Sequence, residues 1–144
     1  MKQFVALVLF AVVASSLANN KEATKESWKR VYGAHQKCSE NPETHVDHTV
    51  LRAVISGKQE PPSNYGAHCL CVAKNLGWMN EDNTVNKAMI QSRAEAIFGS
   101  NPKLQQVVDE CTEVKGTPEA TAAHITKCYV KYAPRPVSAP VHAH

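Results

Sequence analysis

Apolar residues recur at helical spacing along almost the whole of this chain. Trp28, Val31, Tyr32 and His35 stand at i, i+3, i+4 and i+7, which predicts a helix from about Lys21 to Cys38. Asn41-Pro42-Glu43 breaks it, and Thr44 is placed to cap a second segment in which Val46, Val50, Ala53 and Val54 share one face beside Leu51 and Ile55, with Gly57 as its stop. After the loop Gln59-Glu60-Pro61-Pro62, Ser63 is a suitable cap for a third helix running to Leu76-Gly77. That helix is apolar on most sides, which makes it central. Beyond a polar turn from Asn80 to Asn83, the stripe Val85, Ala88, Met89, Ser92, Ala96 and Ile97 predicts a fourth helix ended by Gly99. Asn101-Pro102 opens a fifth that carries Leu104, Val107, Val108 and Cys111 and closes at Lys115-Gly116. Thr117-Pro118-Glu119 repeats that entry signal for a sixth, lined by Thr121, Ile125, Cys128, Tyr129 and Tyr132, and Pro134 and Pro136 end helix formation. The expected architecture is a compact all-α array of about six short helices with short connections.

The amino end has a different pattern. Lys2 precedes an almost unbroken apolar run from Phe4 to Ala14, and Ser16-Leu17-Ala18 sets small residues where a signal peptidase cuts. The run is short for a bilayer span and leads into the polar Asn19-Asn20-Lys21-Glu22. Residues 1–18 are therefore read as a secretory signal peptide cleaved after Ala18, residues 19–133 as a single helical domain, and residues 134–144 as a proline-rich, extended and mobile tail. The expected location is extracellular, where disulfides are permitted.

Composition narrows the functional classes. The 144 residues are 43% hydrophobic, 20% charged and 6% aromatic, enough for one small domain. Sixteen Lys and Arg against thirteen Asp and Glu give a formal net charge of +3, spread along the chain rather than gathered in a block, so nucleic acid is not an expected partner. No apolar stretch after the first twenty residues is long enough for stable membrane insertion. Gly-x-Ser-x-Gly, His-Glu-x-x-His and a glycine-rich phosphate loop are all missing, as is the Cys-Cys-x-x-His-Asp signature of a secreted phospholipase. The reading is therefore not an enzyme, with no catalytic residues and no cofactor.

The five cysteines are Cys38, Cys69, Cys71, Cys111 and Cys128, an odd number that leaves at least one without an intramolecular partner. Cys69 and Cys71 project about 200° apart on one helix, so they cannot both face one partner helix. The same divergence argues against a zinc site built on His68-Cys69-Leu70-Cys71, and no metal is expected.

Cys71 followed by Val72-Ala73-Lys74-Asn75-Leu76-Gly77 resembles the stretch after the third cysteine of the insect odorant-binding protein family, the pheromone and general odorant binders. These are secreted six-helix proteins with six cysteines. In that alignment Cys38 matches the first, Cys111 the fourth and Cys128 the sixth, while Ala67 and Glu119 occupy the second and fifth positions, which pair with each other in the family. Their joint absence matches the reduced four-cysteine Minus-C branch. The resemblance implies interhelical bridges Cys38–Cys71 and Cys111–Cys128, a fold that encloses an apolar cavity, and a free Cys69 that either lines the cavity or packs in the core.

It also implies a function, the carriage of small hydrophobic molecules such as odorants, pheromones or lipid-like ligands. Helical faces and family offsets together nominate Val31, Val54, Cys69, Ala73, Trp78, Met89, Ile97, Leu104, Val108, Ile125 and Tyr129 as ligand contacts, although core packing uses the same residue types. Tyr129 is the best polar anchor, since its apolar ring carries a hydroxyl. His35, His68 and His124 fall in predicted helices, with His45 and His48 close together on the second, and they motivate a pH-dependent release of ligand. A membrane receptor that takes delivery and a second copy of the chain, forming a homodimer through Cys69, are further candidate partners. The alternative function is a secreted helical interaction protein with a filled core and no ligand cavity.

Overall fold

The computed structural model describes residues 2–135, with side chains from residue 21 onward. The expected tail beyond residue 135, with His142 and His144, and the side chains of the expected signal segment lie outside the described residues. Six helices follow one another: α1 (Lys2–Ser39), α2 (His48–Ile55), α3 (Tyr65–Asn75), α4 (Lys87–Phe98), α5 (Leu104–Cys111) and α6 (Pro118–Tyr132). Among the described residues there is no β-sheet, only one isolated antiparallel bridge between Met79 and Val85. α1 is a single helix through the apolar amino end, which holds neither proline nor glycine before Gly33.

α3 is the central element, packed between α1 and α6, while α4 lies on α1 and α5 closes against α4 and α6. The central core joins Cys69 and Ala73 of α3, Trp78 and Met79 from the turn after it, Ile90 of α4, and Ala122 and Ile125 of α6. Ala34, Cys38 and Val72 form a smaller cluster between α1 and α3. Two disulfides fix this arrangement. Cys38–Cys71 ties α1 to α3 with Cα atoms 5.9 Å apart, and Cys111–Cys128 ties α5 to α6 with Cα atoms 5.4 Å apart, both pairings being those implied by the family resemblance.

Several helix ends differ from the sequence reading, each for a local reason. Thr44 does not cap α2, because its hydroxyl donates to the Cys38 carbonyl at the end of α1 (2.6 Å); Asp47 takes the cap, accepting from the Thr49 amide. Val46 is therefore buried ahead of the helix, and no residue of α2 itself is buried. His45 likewise precedes α2, and His48 is its first residue. α3 starts after Asn64 rather than Ser63, and the Asn64 side chain donates to the His45 carbonyl instead of capping. α5 begins at Leu104, since Asn101 Oδ1 accepts from the Lys103 amide in a turn, and it ends at Cys111, since the Lys115 amide donates to Thr121 Oγ1 of α6. Thr117-Pro118 performs as expected: Thr117 Oγ1 accepts from the Ala120 amide and Pro118 opens α6.

Two glycines set the geometry around α3. Gly77 has φ +74°, and the Gly77 and Trp78 amides donate to the Lys74 and Ala73 carbonyls, a Schellman ending that turns Trp78 back into the core. Gly66 faces α6 so closely that an added Cβ would lie 2.9 Å from Glu119 Cβ. Gly66→Ala is expected to lower stability by about 1–2 kcal/mol, the overpacking penalty less the better helix propensity of alanine. A urea midpoint unchanged or raised in that variant would show that α3 and α6 separate here without cost.

Candidate functional site

The stripe assigned to α4 from sequence is rotated in the structure. Ala88, Ser92 and Ala96 are exposed, and Ile90, Ala94 and Ile97 are buried, at i, i+4 and i+7. Small residues occupy both faces, so the larger side chains decide which one turns inward. That face, with Phe98, opposes Val107 and Val108 of α5 and Ile125 and Tyr129 of α6, and the three helices meet around Trp78. The space left between them is an apolar pocket of about 50 Å³.

A second, wider cleft of about 380 Å³ lies between α1, the end of α3 and α4. Arg30, Val31, Ala34 and Lys37 line it from α1, Asn75, Leu76 and Trp78 from the α3 ending, and Arg93 from α4. Trp78 and Arg93 border both spaces, so the buried indole is the partition between them.

Of the ligand contacts nominated from sequence, Trp78, Ile97, Val108, Ile125 and Tyr129 line the inner pocket, and Val31 lines the cleft beside Trp78. Cys69 and Ala73 are fully buried in the central core, outside both spaces, and Met89 packs against that core from its edge, near Gly77. Val54 sits half-buried on α2 and Leu104 half-buried at the start of α5, and neither lines a cavity. The inner pocket also uses Ile90, Ala94, Phe98 and Tyr132, which the sequence reading did not nominate. The i, i+4, i+7, i+8 pattern Ile90, Ala94, Ile97, Phe98 was the available signal.

The Tyr129 hydroxyl is 2.9 Å from Ser27 Oγ, and its ring stands 5.1 Å from both Trp28 and Trp78, edge-on to the former. Burial pushes its phenol upward, partly offset by Ser27, so it is a neutral hydrogen-bonding group at physiological pH. Cys69 is a free thiol with no surface through which to link a second copy. Burial pushes it up to about 11, against hydrogen bonds from Tyr65 and Thr126, which leaves it protonated and unreactive. Cys71 is held in its disulfide and unavailable to a metal, and among the described residues no group of three His, Cys, Asp or Glu side chains is placed to hold one.

His35, His45, His48 and His68 gather at the corner of α1, α2 and α3, away from both spaces, whereas His124 lies apart on α6 with Nε2 2.7 Å from the Glu110 carbonyl. His68 Nδ1 lies 2.7 Å from the Thr44 carbonyl, which can only accept, so Nδ1 carries the proton. Neutral His68 then accepts through Nε2 from His35 Nδ1 at 2.9 Å. The His48 ring stands 5.5 Å from that of His35, and His45 Nδ1 is 2.7 Å from the Ser39 carbonyl. Burial first, and then His68 and His48, lower His35 to about 4, with Asp47 opposing; burial also lowers His68.

Among the described residues no helix is long and apolar enough to cross a membrane. The inner pocket has an apolar lining, and the cleft sets Arg30, Lys37 and Arg93 beside apolar side chains. The sequence matches the PBP/GOBP family over residues 20–132. The B1 protein of Tenebrio molitor is 25% identical over 92 residues, which cover 64% of this chain and 71% of that one. The B2 protein of the same beetle is 24% identical over 92 residues, covering 64% and 72%. With six helices, two matching disulfides and a family match through all of α2 to α6, the chain belongs to the PBP/GOBP family, a membership that supports a non-catalytic role.

Proposed function

We propose that the protein is a secreted carrier of small hydrophobic molecules, of the four-cysteine Minus-C type, released from its producing cell after removal of residues 1–18. The observation that carries this reading is the family match over residues 20–132 in a chain whose α4, α5 and α6 turn an apolar lining toward Trp78. Transfer of a ligand from water to such a lining contributes about 25 cal/mol per Å² buried, so a few hundred Å² support micromolar binding with no reaction. Val31, Trp78, Ile97, Val108, Ile125 and Tyr129 are the contacts in this reading. Cys69, Ala73 and Met89 support them from behind, and Val54 and Leu104 have no part.

One observation favours a second reading. The inner pocket of about 50 Å³ is well under the 300 Å³ or more of ordinary ligand sites, as a helical interaction protein with a filled core would have. Titration of the oxidised mature protein with N-phenyl-1-naphthylamine, followed by competition with long-chain alcohols and small volatile aromatics, separates the two. A carrier gives saturable one-to-one binding that a subset of competitors reverses. A folded, helical protein that binds no probe supports the interaction reading.

A further inference from the structure

The cleft has a charge character that apolar carriage alone does not require. Arg30, Lys37 and Arg93 come from two helices to one space of about 380 Å³, and no carboxylate lines it. Glu26 pairs with Arg30 at 3.5 Å along α1, whereas Lys37 and Arg93 make no ion pair among the described residues. Elsewhere, cations that reach across elements do find acids: Lys87 bonds Asp109 and Lys131 bonds Glu110. The Asn75 amide is occupied by the Cys71 carbonyl (3.0 Å), so the cations supply the cleft's unspent donors. Val31, Leu76 and Trp78 give the same cleft its apolar side chains.

We infer that this cleft binds small amphiphilic anions of the alkyl carboxylate class, with the head group held by Lys37, Arg93 and Arg30 and the chain laid on Val31, Leu76 and Trp78. The inference rests on the carrier reading and adds to it a head-group site and a ligand class. Guanidinium groups match a carboxylate bidentately, and the charge-assisted bonds are about twice as strong as neutral ones. The cleft volume lies within the usual range for ligand sites, and the inner pocket beyond Trp78 is too small to take a chain by itself.

Decanoate and decan-1-ol share a chain and differ in the head, so the test is their competition against N-phenyl-1-naphthylamine on the oxidised mature protein at pH 7.5. The carboxylate is expected to bind about tenfold tighter than the alcohol, a preference that shrinks in high salt. The paired variant Lys37→Gln/Arg93→Gln is expected to bring decanoate down to the alcohol's affinity and leave decan-1-ol unchanged. Equal or tighter binding of the alcohol by the unaltered protein overturns the inference, and that comparison needs no variant to fold. Equal loss of both ligands in the variant also overturns it. If the probe binds and decanoate does not displace it, the head-group site fails while the carrier reading stands; if the probe itself does not bind, both fail.

Discussion

Replacing Cys38 and Cys71 together by alanine is expected to lower the stability of the oxidised protein by about 3–4 kcal/mol. The bridge closes a sequence separation of 33 residues, against 17 for Cys111–Cys128, and the cost of leaving a loop open rises with the logarithm of its length. It also spans the most heterogeneous part of the chain: the loop after α1, the weakly packed α2, and the proline loop before α3. No residue of α2 is buried, so its ties to the domain are mostly polar and edge contacts: Val46, the Thr44 bond to Cys38, the His45 bond to Ser39, the His68 bond to Thr44, the Asn64 bond to His45 and the His48 ring beside His35. With total stability of about 5–15 kcal/mol for a domain of this kind, the variant remains folded with a melting temperature roughly 10–15 °C lower. Thermal unfolding followed by circular dichroism checks this. A midpoint within two or three degrees of the parent, by the same size relation, would mean that α1 and α3 are held by packing alone.

Acidification is expected to destabilise the protein between about pH 6.5 and about pH 4. In the unfolded chain His35 takes up a proton near its ordinary value of 6.5; in the folded protein it does so only near 4. Across that interval the unfolded state binds more protons, so falling pH favours unfolding, and the loss levels off once the folded histidine also protonates. The difference corresponds to on the order of 3 kcal/mol for His35, and the lowered His68 acts in the same direction. The groups around His35 are His68 of α3, His48 of α2, and Asp47 and His45 of the preceding loop; of these only Asp47 favours its charge. His35→Gln keeps an N–H that can donate to His68 Nε2 and removes the titration. The variant should lose much less stability than the parent between pH 7 and pH 4.5 in urea unfolding. An equal loss in both would place the acid sensitivity elsewhere. Because this cluster lines neither cavity, its effect on ligand would pass through the α1–α3 packing at Ala34, Cys38 and Val72.

What the sequence discloses here follows the physics of each signal. Thr117-Pro118 was legible because a hydroxyl cap and a proline at the first helical position act within four residues. The central place of α3 was legible because a helix apolar on most sides must be enclosed. The start of α2 was not, since the Thr44 hydroxyl is spent on the end of α1, a tertiary choice invisible to local pattern. The rotation of α4 arose from alanines and serine on both faces, where periodicity alone is weak and side-chain size decides. Ile97, Val108, Ile125 and Tyr129 line the inner pocket because their stripes face inward, whereas Leu104, at the first turn of α5, lines neither space. Arg30, Lys37 and Arg93 were passed over because separate cations read as solvated surface until the fold brings them to one cleft.

The central claim is that an apolar ligand binds against Trp78, and the chain allows a direct measurement because it has only two tryptophans. Trp28→Phe leaves Trp78 as the sole indole, at the partition between the cleft and the inner pocket. Titrating that oxidised, helical variant with N-phenyl-1-naphthylamine and following energy transfer from Trp78 should give saturable one-to-one transfer that displacing ligands reverse. Transfer that never saturates, or none in a protein shown to be folded, would contradict the carrier account and leave a helical protein with a filled core.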